Sequence, residues 1–423
     1  MRKQLTSYIM WFLALSFFAY QFILRLTPGL ILTEIRDKFQ VDATSFGLLS
    51  SMYYFGYAGM QIPIAVLLEK YGPKYVISAC VLIASLSNLA FVFTDQWWVA
   101  LLGRFLIGAG SAVGFLGVSK IISLYFPSKH YGKMIALSFT FGLIGALYGG
   151  RPINSLMELL GWQHVLEIVS SLGIVLSILI LLFIKSKNDN GMTDINDVSI
   201  LKQIISIIKN PQIIIIAIAN LLMVGALEGF ADIWGIIYLT KAYNFTKNDA
   251  ATVTSSIFFG MIFGGPILSY FADKYNAYAQ TLTVSGIIMG LLFISMLQGN
   301  NYFSYSNLCV LTFIIGILCC YQVIIFTFCT KIVDAKLQGI SIAFLNCINM
   351  LGGSFFHTSI GYILDAQTNN TSISMVNKDY SIDQYTNALY IIPLSSIIGG
   401  IMFIFLYRRR AKQSVAEKEL EYA

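Results

Sequence analysis

The sequence contains few charged residues. Asp, Glu, Lys and Arg make up 11% of its 423 residues, whereas apolar residues make up 57%. An ordinary soluble domain is about 25% charged, so this chain could not cover a water-facing surface. The composition excludes a cytosolic enzyme, a nucleic-acid-binding protein and a secreted disulfide scaffold. The net charge of +6 does not indicate nucleic acid, because the basic residues lie mostly at the ends of apolar runs.

Metal-binding and catalytic patterns are also missing. The six cysteines lie in apolar stretches without a C-x-x-C pair, and the three histidines are too scattered to form a metal site. We interpret the cysteines as buried free thiols. No nucleophile elbow, zinc-binding helix or Walker loop occurs. The sequence therefore predicts neither an enzyme nor a cofactor or metal, and any transport would depend on a gradient or on facilitated diffusion.

Long apolar runs fill the chain instead. Twelve of them, each near the roughly 20 residues that cross a bilayer, are separated by polar breaks, and the longest break covers 185–210. This pattern predicts an all-α membrane protein with twelve transmembrane helices in two pseudo-symmetric six-helix bundles. The predicted bundles are 1–184 and 211–407, with a cytoplasmic linker at 185–210 and a cytoplasmic tail at 408–423. We expect the protein to be a monomer that lies in a lipid bilayer and transports a small-molecule substrate.

Charge asymmetry predicts the orientation. With the N-terminus inside, 18 Lys and Arg residues fall in inner loops and tails and 5 in outer loops. Because inner loops are enriched in basic residues, both termini are predicted to be cytoplasmic.

An internal repeat supports the two halves. A shift of 204 residues lays 47–72 on 251–276 without gaps, and Glu69-Lys70-Tyr71 then meets Asp273-Lys274-Tyr275. Duplicated halves around a central path are typical of secondary transporters.

At these residues the sequence resembles the major facilitator superfamily. The loop at 65–74 (AVLLEKYGPK) is similar to the family's signature after helix 2, with a weaker copy at 269–276, and 103–110 (GRFLIGAG) is similar to its helix 4 motif. The resemblance implies that the Glu69 carboxylate faces a helix N-terminus in the other half and favours one gate state. It implies proton coupling for Arg104, for which a snorkelling arginine is the alternative. The gating or coupling candidates are Glu69, Lys70, Gly72, Lys74, Arg104, Asp273 and Lys274.

Charged residues inside the predicted spans are the main candidates for a substrate site. A central Arg, Lys or Asp costs about 2.5–3.5 kcal/mol on insertion scales, so such residues should face a hydrated cavity or each other. Arg25 in helix 1 and Glu228 in helix 7 lie at comparable depth, with Asp232 one helical turn further on. They could bind a zwitterion between the two halves, or form a salt bridge between the halves without a substrate role. Both interpretations stay open at this point.

Other polar residues in the spans are secondary candidates for the cavity, with helix–helix hydrogen bonding as the alternative for each. They are Tyr53, Tyr54, Gln61, Arg151, Trp234, Tyr321, Gln322, Asn346 and Asn349.

These features predict a secondary transporter that works by alternating access. Protons are a candidate coupling ion, since a poorly hydrated cavity favours the neutral form of Glu228 or Asp232. The segments 22–28 and 60–63 and the loop at 69–74 resemble a bacterial subgroup that includes nutrient importers of intracellular pathogens. That resemblance implies a bacterial inner membrane and, as a first expectation, an amino acid or short peptide as substrate. The alternatives are an organic-anion or sugar-phosphate carrier of the same fold and a ligand-binding membrane sensor without flux.

Overall fold

The protein is a bundle of long apolar helices. The computed structural model describes residues 2–185, 202, 205–299, 302–334, 337–367 and 379–421, with side chains described between Leu5 and Leu406, and these residues contain no strand. Eleven of their helices are long and apolar enough to cross a membrane. They are α1 (Leu5–Leu30), α2 (Ala43–Phe93), α3 (Trp97–Tyr125), α4 (Ser128–Leu160), α5 (Trp162–Phe183), α6 (Pro211–Ala242), α7 (Lys247–Lys274), α8 (Tyr278–Gln298), α9 (Tyr305–Thr330), α10 (Gln338–Ala366) and α11 (Ile382–Leu406).

Helix α2 is interrupted at Gly72. The helix has 51 residues, and Gly72 has a φ of 75° and a ψ of 167° inside it, directly before Pro73. A positive φ strains every residue that has a Cβ atom, so glycine permits the chain to turn here between two helical segments.

We expect Gly72→Ala to lower the free energy of unfolding by about 1–3 kcal/mol, because the backbone conformation at this position is essentially restricted to glycine. Thermal unfolding in detergent measures the change. Gly132→Ala is the control, since its Cβ would enter open space and its φ is not positive. Equal effects of the two substitutions would contradict the role given to Gly72.

The chain forms two segments that pack along their length, a first segment at 2–185 and a second at 205–406. Helix α1 contacts α6, α2 contacts α10, and α4 contacts α7 across the boundary. We call the end of the bundle that carries Glu34 the Glu34 end and the opposite end the Gly72 end. Most of the predicted linker (186–201, 203 and 204) lies outside the described residues. The predicted tail continues the last helix, which runs to Glu421.

Helix α6 changes its winding in the middle. Pro211–Met223 is α-helical and Gly225–Trp234 is π-helical, and every residue of the π-helical stretch is buried. Stretches of π-helix are rare and occur frequently at functional sites. This stretch carries both Glu228 and Asp232, so the irregular winding lies where the charges are.

Candidate functional site

Arg25 of α1 is bound by two carboxylates from α6. Its Nε donates to Asp232 and its Nη2 donates to Glu228, each at 2.5 Å. Arg25 is 6% exposed, and each acid is 1% exposed. The guanidinium group therefore joins the first segment to the second through one buried ion-pair triad. The expectation that Arg25, Glu228 and Asp232 lie together is correct, and in this conformation they pair directly.

Two tyrosines of α2 and a second arginine surround the triad. The Tyr54 hydroxyl donates to Asp232, and its ring centre lies 5.4 Å from the Arg25 guanidinium carbon. Tyr53 donates to Gln21 at 2.6 Å. Its ring centre lies 5.3 Å from the guanidinium carbon of Arg104.

Arg104 is buried rather than snorkelling. It is 3% exposed, and its Nη1 donates to the Leu24 carbonyl at 2.9 Å, next to Arg25 in the chain. The snorkelling alternative is therefore wrong for this residue. Together with the triad it gives a buried set of two cations and two acids, which we call the Arg25 cluster (Arg25, Arg104, Glu228 and Asp232).

The Arg25 cluster has unused hydrogen-bonding capacity. Among the described residues, Asp232 Oδ1 and Arg104 Nε have no protein partner. Buried unpaired polar atoms cost free energy, so these groups are candidates to bind water, a proton or a ligand. The cluster can present a guanidinium group to an anion whenever Glu228 or Asp232 releases it, because carboxylates and organic acids bind guanidinium with the same geometry.

The secondary candidates are placed differently from one another. Trp234 is fully buried against Phe46, with ring centres 5.6 Å apart, and Tyr321 donates to the Asn220 carbonyl at 3.2 Å. Gln61 and Asn349 are buried, whereas Gln322 and Asn346 are half-buried. Tyr321 thus makes the helix–helix bond that was the alternative interpretation.

Arg151 does not belong to this set. It begins the second half of α4 at the Glu34 end and is exposed. The helix is interrupted at Gly150, and Arg151 begins a separate helical stretch beyond the break. The prediction that Arg151 lies with the other cavity residues is therefore wrong in this conformation.

The signature loop makes its contacts within its own segment. Glu69 accepts from Lys120 of α3 at 2.7 Å, and both belong to the first segment. In the second copy, Asp273 accepts from Tyr278 and Lys274 donates to Tyr270 at 3.1 Å. The carboxylate–helix contact between halves implied by the resemblance is not the contact that Glu69 makes here. Lys70 and Lys74 lie over the rings of Tyr71 and Tyr75.

The Glu34 end is closed by polar contacts between the segments. Asp365 at the end of α10 accepts from the Thr44 backbone N–H at 2.7 Å and from the Thr44 hydroxyl at 2.5 Å. The Tyr380 hydroxyl donates to Asp365 and accepts from the Ala43 N–H at 3.2 Å. We call Thr44, Asp365 and Tyr380 the clasp. Its carboxylate caps the N-terminus of α2, where helix N–H groups are unpaired and the dipole favours an anion.

Further bonds reinforce this closure. Lys247 donates to Glu34 at 2.6 Å, and Ser155 donates to Asn248 at 3.0 Å. Nearer the Arg25 cluster, Ser51 bonds Thr358 at 2.9 Å. In this conformation the two segments are held together from the cluster to the Glu34 end.

Sequence reasoning missed three features of this region. The clasp aspartate, Asp365, is an ordinary acid at a helix end, and no sequence pattern around it indicates which distant residues it contacts. The π-helical winding has no sequence signature of its own. His357 did carry a signal, since an ionisable residue inside a span is a functional candidate, but the histidines were considered only as metal ligands.

The fold and the cluster define a class of protein, a polytopic membrane protein with a buried charged site between two helical segments. The sequence profile of the Major Facilitator Superfamily matches residues 10–357 and 213–422. The chain belongs to this superfamily, so the resemblance is confirmed. It is a multi-pass membrane transporter of small molecules and not an enzyme.

Several relatives and solved structures are similar to the chain. The "Probable galactarate/D-glucarate transporter GarP" of Escherichia coli is 24% identical over 343 residues, 72% of this chain and 76% of that protein. A protein of Agrobacterium vitis that is named as a tartrate transporter is 23% identical over 197 residues, 45% of each chain. The crystal structure of a bacterial homologue of the human lysosomal transporter Spinster has a TM-score of 0.76 at 16% identity and covers 95% of this chain and 97% of that one. The nucleoside transporter NupG has a TM-score of 0.74 at 14% identity, with coverages of 95% and 99%. These structures share the fold.

Proposed function

We propose that the protein is a secondary transporter of small organic anions of the sugar-acid class, such as galactarate, glucarate or tartrate. The observation that carries the proposal is the buried Arg25 guanidinium group. Its nitrogen atoms lie 2.5 Å from carboxylate oxygens of Glu228 and Asp232. A dicarboxylate substrate offers the same chemical groups and can replace Glu228 and Asp232 on the guanidinium. The relatives named for galactarate, glucarate and tartrate support this class. The first expectation, an amino acid or short peptide, gains no such support.

In this proposal the buried site binds protons together with the substrate, because the protons compensate the negative charge that the substrate brings. The Arg25 cluster has two positive and two negative side chains, so its formal charge is zero when both acids are ionised. A dianion that displaces the acids would leave a large negative excess in a buried site, which is costly. Protonation of Glu228 and Asp232 restores the balance and also weakens their hold on Arg25. We therefore propose proton symport, with these two acids as the proton carriers.

The proposed architecture is twelve spans in two six-helix bundles, 1–184 and 211–407. At 1.5 Å per residue, 51 residues would extend about 76 Å, more than twice the roughly 30 Å hydrocarbon thickness. The break at Gly72 supports two spans in α2. The excess of basic residues supports a cytoplasmic Gly72 end, in a bacterial inner membrane. On this orientation the clasp closes the outer side, and the proposed conformation faces the cytoplasm.

The proposal is tested by uptake into proteoliposomes that contain the purified chain. Labelled D-glucarate, galactarate, an amino acid mixture and a sugar phosphate are compared with and without an inward proton gradient. We expect uptake of the sugar acids that the proton gradient stimulates and a protonophore removes. Uptake of the amino acids alone would overturn the anion assignment. Sugar-acid binding in a thermal-shift assay without any flux would instead indicate a sensor.

A further inference from the structure

His357 is a buried imidazole without a hydrogen-bond partner. It lies in α10 with no exposed surface, and among the described residues neither Nδ1 nor Nε2 has a protein partner. A neutral imidazole always carries one N–H donor and one acceptor nitrogen. Leaving both unpaired in a buried site destabilises this conformation. A buried side chain that carries such a cost is a candidate for function rather than for packing.

The imidazole lies beside the Arg25 cluster and on the boundary between the segments. Its ring centre is 5.3 Å from that of Tyr54, the tyrosine that donates to Asp232. The Arg25 guanidinium carbon lies 5.4 Å from the same ring. A cation and a neutral group that can both donate and accept therefore lie against the same tyrosine ring, within reach of one elongated polar molecule.

The position of His357 makes its access depend on the conformation. Thr358, the next residue, bonds Ser51 across the boundary between α10 and α2, and Gly47 packs on the His357 backbone. These contacts exclude water while the Glu34 end is closed. Separation of α2 and α10 at that end would expose the imidazole beside the Arg25 cluster. Its unpaired nitrogens then become available to a molecule that enters from the Glu34 end.

We propose that His357 is a recognition residue for the hydroxylated portion of the transported anion, used in the conformation in which the Glu34 end is open. This proposal rests on the proposed function and adds a second contact to Arg25. A sugar acid suits both contacts, because its carboxylate binds the guanidinium group and its hydroxyl groups both donate to and accept from an imidazole. A simple dicarboxylate without hydroxyl groups uses Arg25 alone.

The test compares His357→Phe and His357→Gln with the wild type in proteoliposomes, using D-glucarate and the unhydroxylated six-carbon dicarboxylate adipate. Phe fills the site without polar atoms, and Gln keeps a donor and an acceptor. We expect His357→Phe to unfold at the same or a higher temperature than the wild type. We also expect it to raise the KM for D-glucarate at least tenfold while the KM for adipate changes less than twofold. His357→Gln should restore most of the D-glucarate affinity.

His164→Phe is the matched control, since His164 is exposed, and its kinetics should equal those of the wild type. A wild-type KM for D-glucarate in His357→Phe would overturn the proposal, as would an equal rise for both anions. Lower thermal stability of both His357 variants would overturn it as well, because it would assign the imidazole a structural role. Absence of D-glucarate uptake by the wild type is a different result, since it would contradict the proposed function itself and not only the role of His357.

Discussion

Arg25→Ala is expected to abolish uptake of sugar acids, a loss of at least about 100-fold in transport rate. The substitution removes the buried guanidinium group that binds both acids and leaves Glu228 and Asp232 without that cationic partner in the protein interior. Removing one partner of a buried ion pair costs about 3–5 kcal/mol, so this variant also loses stability. Initial rates of D-glucarate uptake and thermal unfolding measure the two effects.

A neutral triple variant separates binding from folding. Arg25→Gln, Glu228→Gln and Asp232→Asn together remove every charge of the triad but keep side chains that can hydrogen bond. Replacing both sides of a buried ion pair is often neutral for stability, so we expect this protein to fold and to show no thermal shift with D-glucarate. Arg151→Ala is the control for loss of an arginine, because Arg151 is exposed. Full uptake by the triple variant would refute the anion site at Arg25.

Glu228→Gln has a different expected result. It keeps a neutral group where the protonated acid would stand, so it should retain D-glucarate binding. Its uptake should respond less steeply to the proton gradient, because Asp232 alone still carries a proton. Binding is measured by thermal shift and coupling by uptake at equal and unequal pH across the membrane. Unchanged gradient dependence in both Glu228→Gln and Asp232→Asn would contradict the assignment of these acids as proton carriers.

The charged centre of the site was predictable because placing a charged side chain in the hydrocarbon region of a membrane has a large free-energy cost. Charged side chains inside a membrane must pair with one another or face water, which applies to Arg25, Glu228 and Asp232. Residues at the same depth in two packed helices can also lie close to each other. The same reasoning indicated Tyr54 only as a polar residue of α2. Its bond to Asp232 depends on how the two segments pack, which no local pattern encodes.

The failures have equally local causes. Arg151 was counted among the cavity residues, but it follows the break at Gly150 and its side chain is exposed. Glu69 was given a partner in the other half by resemblance, whereas in this conformation Lys120 is near enough to bind it. The resemblance describes a contact of one gate state, and a sequence does not reveal which state a structure adopts.

Asp365→Ala is expected to open the Glu34 end. Asp365 is the clasp residue that joins the end of α10 to the backbone N–H and the hydroxyl of Thr44 in α2, and Tyr380 donates to the same carboxylate. Hydrogen bonds to a charged group contribute about 1.5–3 kcal/mol each. Loss of this carboxylate should therefore shift the equilibrium between conformations by at least about tenfold, since 1.4 kcal/mol corresponds to a factor of ten.

Cysteine labelling measures that shift. Ser354→Cys, introduced after the native cysteines are replaced, puts a thiol at a position that is 4% exposed at the boundary between α2 and α10. A membrane-impermeant maleimide should label it slowly in the parent and at least about tenfold faster with Asp365→Ala. Asp379→Ala is the matched control at the same end, because Asp379 binds Lys241 within the second segment with 88% of its side chain exposed, and an exposed ion pair contributes little. Equal labelling rates in the Asp365 variant and its parent, or equal acceleration by the control, would show that the carboxylate of the clasp does not hold this end closed.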